Sequence, residues 1–199
     1  QIDAGAGGQD GLIIHGSRIV PAATPGVDTV FVAGAVVTFQ GIEGALDVTD
    51  PARVVVRGTL ADDYFVLESV DTSSIRVRGE NYDFLFATDN STADGLVFAN
   101  PATTLTLDLF AGSDTVKLGV LDAGFTAAVI VKGGDGDDMV DAGDGTNAWQ
   151  ITGEDTGSLN TQVTFQDVEE LVGGTGVDTF TVSVGGRLNG RVSGMEGDA

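Results

Sequence analysis

Short runs of alternating apolar and polar residues recur along this chain, and they predict β-strands. In residues 74–79, SIRVRG, the apolar side chains can face one way while the two arginines face the other. A similar run, RVVVRG at residues 53–58, begins 21 residues earlier, and residues 129–133 have the same design. A helical period is only weakly suggested, near residues 168–171. The pattern therefore predicts an all-β protein.

Each apolar run leads into a turn rich in glycine and aspartate. Residues 133–141, GGDGDDMVD, and residues 173–181, GGTGVDTFT, both fit the pattern G-G-x-G-x-D-x-U-x, where U is a large apolar residue. Glycine permits the positive φ of a tight turn, and U begins the next strand. Aspartates that align with the motif aspartate recur at spacings that are mostly about 20 residues or about twice that, and they are Asp10, Asp28, Asp63, Asp114, Asp138, Asp178 and Asp198.

This repeat predicts stacked strands, because three-residue strands separated by turns do not form a stable sheet alone. We expect a right-handed parallel β-helix, that is, a β-solenoid, with coils of about 20 residues. Residues 1–199 are expected to form a single segment of it, cut from a longer chain, with the most regular turns at 133–150 and 173–181. A sandwich-like insertion at residues 33–52 or 150–165 remains open.

The net charge and the residue types of this chain limit the partners and metal sites that it can have. Thirty acidic residues against nine basic ones give a formal net charge of −21, which excludes nucleic acid as a natural partner and disfavours direct binding to anionic lipid. The chain has no cysteine and one histidine, His15, so a zinc or non-haem iron site is not expected. The sequence contains no stretch of about 20 apolar residues, so no transmembrane helix is predicted.

The two motifs resemble the RTX nonapeptide family of secreted bacterial proteins and, more broadly, the β-helical repeats of giant bacterial surface proteins and adhesins. In that family, turn carbonyls and aspartate carboxylates from stacked turns share calcium ions. The resemblance implies calcium at residues that match the motif or its degenerate second unit, and these are Asp135, Asp137, Asp138, Asp144, Asn147 and Asp178. The alternative is that these side chains only cap their own turns.

The remaining candidates for chemistry have simpler interpretations. Trp149 occupies a U position and is expected in the core, and a stacked aromatic interior is predicted from Phe31, Phe65, Phe86, Phe110 and Phe180. Paired carboxylates such as Asp137-Asp138 do not form a catalytic pair by adjacency, because neighbours on a strand face opposite ways.

These observations predict a structural, non-catalytic repeat module of a secreted or cell-surface bacterial protein, such as an adhesin, filament or matrix protein, stiffened by calcium. Its expected partners are neighbouring repeats of the same longer chain or further copies in a filament, with surface glycans as a further candidate. The alternative is a carbohydrate-active or glycan-binding β-helix that resembles polysaccharide lyases or epimerases.

Overall fold

The computed structural model describes residues 53–58, 60–79 and 96–194, together with the backbone of six strands among residues 2–49. The regular elements of these residues are β-strands, so the prediction of an all-β protein is confirmed. The strands are β1 (Ile2–Asp3), β2 (Leu12–His15), β3 (Ser17–Ile19), β4 (Asp28–Val32), β5 (Ala35–Gln40), β6 (Leu46–Thr49), β7 (Arg53–Arg57), β8 (Tyr64–Ser69), β9 (Ser74–Gly79), β10 (Leu96–Ala99), β11 (Thr104–Asp108), β12 (Thr115–Leu118), β13 (Ala128–Lys132), β14 (Met139–Asp141), β15 (Asn147–Gly153), β16 (Thr156–Leu159), β17 (Val163–Gln166), β18 (Glu170–Val172), β19 (Asp178–Val182) and β20 (Val192–Ser193).

Most strands belong to two seven-stranded sheets. Sheet I has the order β19-β15-β16-β17-β13-β11-β7, and sheet II has the order β10-β9-β8-β12-β14-β18-β20. Strands β1, β5, β4 and β3 form a four-stranded sheet, and β2 pairs with β6.

From β7 onward, successive strands alternate between the two large sheets except within β8–β10 and β15–β17, each of which stays in one sheet. We call each unit of one strand in sheet I, a turn and the following strand in sheet II a rung, and the five rungs are β7–β8, β11–β12, β13–β14, β17–β18 and β19–β20. Within sheet I, β7, β11, β13 and β17 pair in parallel, and within sheet II the same is true of β8, β12, β14, β18 and β20. Turns that lead from sheet I to sheet II therefore share one edge of the molecule, the first edge, and the returning turns share the second edge.

The prediction of a right-handed parallel β-helix with coils of about 20 residues is wrong. Both large sheets are mixed, since β8, β9 and β10 pair antiparallel in sheet II and β15, β16 and β17 pair antiparallel in sheet I. The region 150–165, where an insertion remained open, lies largely within the second of these antiparallel sets.

Local turn chemistry explains both departures. Strand β9 repeats the sequence pattern of β7, but Asp71 Oδ1 accepts the backbone N–H groups of Ser73 (2.7 Å) and Ser74 (2.8 Å), and the chain turns back along β8. Between β16 and β17, Asn160 and Thr161 adopt φ values of 48° and 60°, the left-handed conformation that closes tight hairpins. In both places a short turn keeps the chain in the same sheet.

The core lies between the two sheets and is built from the apolar positions of the alternating pattern. In sheet I one row of buried residues in register is Val54, Leu105, Val129 and Val163, and the next row is Val56, Leu107, Val131 and Phe165. In sheet II the corresponding row is Phe65, Val116, Val140 and Leu171. The first four rungs therefore bury the same face, whereas Val182 and Val192 of the fifth rung are exposed.

The aromatic predictions divide. Trp149 is fully buried, with its ring 5.9 Å from that of Phe165 and stacked 5.7 Å from that of Phe180, so its core placement is confirmed. Phe65 is buried and Phe180 partly so. Phe110 is 42% exposed and its place in the predicted interior is wrong, because it takes the second glycine position of its turn, with φ 73°. The side chains of Phe31 and Phe86 lie outside the described residues.

Candidate functional site

The turns of the first edge stack directly on one another through their backbones. The N–H of Asp135 donates to the carbonyl of Phe110 at 2.9 Å, and the N–H of Gly112 donates to the carbonyl of Asp135 at 2.9 Å. Gly136, with φ 142°, lies so close to the carbonyl of Gly112 that a Cβ at this position would overlap with it. The glycines of the motif therefore bring two successive turns into backbone contact.

A row of four acidic residues runs down this edge, one from each of four rungs. Asp63, Asp114, Asp138 and Glu169 each precede a strand of sheet II, and the parallel register of those strands places them side by side. We call these four residues the carboxylate column. Because parallel strands are about 4.8 Å apart, the column stacks like charges at that spacing.

Three carboxylates of the column, those of Asp114, Asp138 and Glu169, each bind the backbone of the rung before them. The N–H of Asp63 donates to Oδ1 of Asp114 at 2.7 Å, and the N–H of Asp114 donates to Oδ1 of Asp138 at 2.8 Å. The N–H of Asp138 donates to Oε2 of Glu169 at 2.8 Å. The column thus joins four rungs through side-chain-to-backbone hydrogen bonds that repeat with one polarity.

The three aspartates of the column are withdrawn from solvent. Asp63 is 7% exposed, Asp114 1% and Asp138 0%. Oδ2 of Asp114 and of Asp138 is buried without a hydrogen-bond partner in the described part of the chain. A buried carboxylate oxygen without a partner favours the neutral form of the acid.

The pKa values of the column follow from this burial. Burial is the main cause that raises the pKa of Asp114 to about 7, against the hydrogen bond that it accepts from Asp63. The negative charges of Asp138, Asp63 and Asp62 add to the rise. Burial also raises the pKa of Asp138 to about 6, and the charge of Glu169 adds to it. Burial likewise raises the pKa of Glu169, in the same direction.

The second edge carries a related pair in which one acid is replaced by an amide. Asn147, 5% exposed, lies beside Asp178 in the register of β15 and β19. Its Nδ2 donates to Oδ1 of Asp178 at 3.0 Å and to the carbonyl of Gly173 at 2.7 Å, while its Oδ1 accepts from Nδ2 of Asn160 at 3.0 Å. An amide at a motif position therefore satisfies a neighbouring carboxylate without placing two like charges together.

This pair suggests that Asp114→Asn will stabilise the protein at neutral pH. Since the pKa of Asp114 is raised on folding, the folded state holds a proton that the unfolded state releases, and stability falls as the pH rises from about 4 to about 7. The variant should be more stable at pH 7.5 by on the order of 1–3 kcal/mol, with a smaller gain near pH 5. Urea midpoints at both pH values measure this.

Asp137→Asn is the matched control, because Asp137 is exposed and the substitution removes the same charge from the neighbouring turn. If Asp137→Asn stabilises the protein as much as Asp114→Asn, the gain comes from the overall charge of the surface and the burial argument fails.

The six predicted calcium ligands fall into two groups at opposite edges. Asp135, Asp137 and Asp138 share the turn from β13 to β14 on the first edge. Asp144, Asn147 and Asp178 belong to the turns that enter β15 and β19 on the second edge. The two groups are separated by strand β14, Met139–Asp141, which belongs to sheet II and leads from the turn on the first edge to the turn on the second edge.

The described residues do not place Asp144 and Asn147 beside Asp135, Asp137 and Asp138, as a calcium ion shared by the two turns would require. No group of three or more His, Cys, Asp or Glu side chains among residues 53–58, 60–79 and 96–194 is placed to hold a metal ion. Asp144 Oδ1 accepts from the hydroxyl of Thr175 at 2.6 Å, and Asp178 Oδ1 accepts from Asn147, so both act within the turn contacts.

Sequence reasoning missed two further polar contacts. Glu169 completes the column, and the signal for it is only its place directly before a strand of sheet II, since no glycine motif precedes it. Asp155 lies in the β15–β16 turn and is buried, and its Oδ1 accepts the backbone N–H of Asn189 at 2.6 Å. Hydrophobic periodicity carries no information on either contact.

Comparisons with family models, with curated proteins and with solved structures give no match for this chain. The resemblance to RTX repeats and to giant surface proteins therefore stays a prediction from the motif residues. No helix in the described part of the chain has the length and apolar character needed to cross a membrane.

Proposed function

We propose that this chain is a structural, non-catalytic module of a secreted or cell-surface bacterial protein, of the adhesin, filament or matrix kind. The observation that carries the proposal is the carboxylate column, in which Asp114, Asp138 and Glu169 each hold the preceding rung in register. A catalytic acid must face a space where a substrate can lie. These acids face the backbone of their own protein.

The second edge supports the same interpretation. Asn147 donates to Asp178 and to the carbonyl of Gly173 on this edge, and on the first edge Asn189 binds both oxygens of Asp155, at 2.6 Å and 2.5 Å. These polar side chains, of which those of Asn147 and Asp155 are buried, close contacts between stacked strands and turns. The partners proposed with this function are neighbouring repeats or further copies of the chain, and its place is the cell exterior.

Calcium stays a prediction of the RTX resemblance, and the proposed function does not depend on it. The direct contacts between turns already hold the rungs together.

The proposal predicts a stacked core that resists proteases, because a structural module outside the cell is exposed to them. Thermolysin is expected to leave a fragment that contains residues 104–194 intact under conditions that digest the urea-unfolded chain. Asp138→Ala should be digested faster by roughly tenfold, since a lost buried hydrogen bond costs about 1–3 kcal/mol and native cleavage follows the population of open states. Asp137→Ala, in the same turn but exposed, should be digested like the wild type.

Two results would contradict the proposal. One is cleavage of the wild-type protein by thermolysin at the bonds before Met139 or Val140 at the rate of the unfolded chain. The other is the release of unsaturated products from acidic polysaccharides, measured by their absorbance, which would favour the carbohydrate-active alternative.

A further inference from the structure

We propose that the glycine–aspartate turns of this chain are clasps that work without a metal ion, in which the motif aspartate binds the neighbouring rung directly. The inference goes beyond the proposed function and holds whether or not that function is correct. It opposes what the RTX resemblance implies for the same residues, and it rests on four features of the turns.

The first feature is that one oxygen of each clasp is already bound. Oδ1 of Asp114 and of Asp138 accepts the backbone N–H of the preceding rung at 2.7 Å and 2.8 Å. On the second edge, Oδ1 of Asp178 accepts the N–H of Asn147 at 3.2 Å. The same bond therefore recurs at both edges. A hydrogen bond from an N–H occupies one lone-pair direction of that oxygen, so Oδ1 enters any further contact with part of its capacity already used.

The second feature is the position of the other oxygen. In the spacing G-x-x-x-x-D, a Cβ on the glycine would meet Oδ2 of the aspartate in three turns, Gly58 with Asp63, Gly133 with Asp138 and Gly173 with Asp178. No positive φ in the left-handed region is recorded for these three glycines. The first glycine of the motif therefore leaves room for the carboxylate of its own aspartate. Oδ2 of Asp138 and of Asp178 is buried there.

The third feature is the distance between successive turns. Calcium keeps oxygen ligands at 2.3–2.6 Å on all sides, so an ion between two turns holds their carbonyls apart. Here the turns touch through N–H···O bonds of 2.9 Å on the first edge, and on the second edge the N–H of Gly145 donates to the carbonyl of Thr175 at 2.7 Å. The space that an ion would need between the turns is filled by hydrogen bonds.

The fourth feature is the residue that takes the place of aspartate at one motif position, Asn147, and at one position without the glycine motif, Glu169. At Asn147 the amide nitrogen, which is a donor, points at Asp178, the carboxylate with which it would share an ion in a calcium site. At Glu169 a longer side chain still reaches the backbone N–H of the preceding rung. Glu169 preserves the hydrogen bond between rungs, whereas Oδ1 of Asn147 accepts from Nδ2 of Asn160 and its N–H donates to Asp178. The bond from a backbone N–H to a carboxylate is therefore what Asp114, Asp138, Asp178 and Glu169 share.

Thermal unfolding followed by circular dichroism tests this in three solutions, with chelator, with millimolar calcium and with millimolar magnesium. The wild-type melting temperature is expected to agree within about 2 °C between chelator and calcium. A rise that is equal in calcium and magnesium, and that persists in Asp138→Asn, reflects neutralisation of the −21 surface and supports the clasp, because the ion then acts elsewhere.

A calcium-specific rise of more than about 5 °C in the wild type would overturn the proposal, and its loss in Asp138→Asn would place the ion at the motif turn. So would a chain that gains its β-sheet signal only when calcium is added. The wild-type comparison decides the matter even if the variants fold poorly, and neither of these failures bears on the protease resistance that tests the proposed function.

Discussion

Gly136→Ala is expected to destabilise the protein by more than about 3 kcal/mol. Gly136 has φ 142°, a conformation that costs a residue with a Cβ on the order of 1–3 kcal/mol, and its Cβ would overlap with the carbonyl of Gly112 in the turn above. Since that carbonyl belongs to a stacked backbone, relief of the overlap must separate two rungs. Denaturant midpoints of the variant and the wild type measure the loss.

Gly145→Ala is the matched control for this prediction. Gly145 has φ 130° in the equivalent turn of the second edge, but nothing lies within 4 Å of the Cβ that alanine would add. The control therefore carries the backbone strain without the overlap, and we expect a loss of about 1–2 kcal/mol. Equal losses in the two variants would show that the close approach of the turns contributes nothing to stability.

The second large effect is expected for Trp149→Ala, with a loss of about 3–5 kcal/mol. Trp149 is 1% exposed and packs edge-on against Phe165 and face-on against Phe180, so its removal opens a cavity between strands β15, β17 and β19. Trp149→Phe keeps one ring and removes the indole N–H, which has no partner among the described residues, so it should lose less.

Val184→Ala serves as the reference for surface truncation, because Val184 is fully exposed and should change stability by less than about 0.5 kcal/mol. If Trp149→Ala lowers the free energy of unfolding no more than this reference, the aromatic cluster does not stabilise the antiparallel meander of β15, β16 and β17.

Local patterns predicted the strands and the turns well. Alternation at residues 53–57 and 74–79 marks β7 and β9, and the same pattern marks the buried row of Val54, Leu105 and Val129. Alternation carries the direction of a side chain but not the identity of the partner strand. The parallel β-helix was wrong for that reason, since the Asp71 turn that sends β9 back along β8 looks like any other polar connection in the sequence.

The motif located the residues of the site but not their contacts. Asp63, Asp114 and Asp138 were aligned from sequence, and the structure places them in one column. The separation of Asp138 from Asn147 was not predictable from the motif, because it depends on β14 crossing to the other edge. Glu169 was not predictable either, because its role depends on the register between β14 and β18.

The single polarity of the column has a consequence for how the chain is made. Each carboxylate comes from a later rung and its N–H partner from the earlier one. A polypeptide emerges from the ribosome with its earlier residues first, and repeat arrays grow by adding units to a formed neighbour. We therefore expect each new rung of the column to form its carboxylate hydrogen bond to the rung that is already folded. The nascent chain would then assemble stepwise toward its carboxyl terminus.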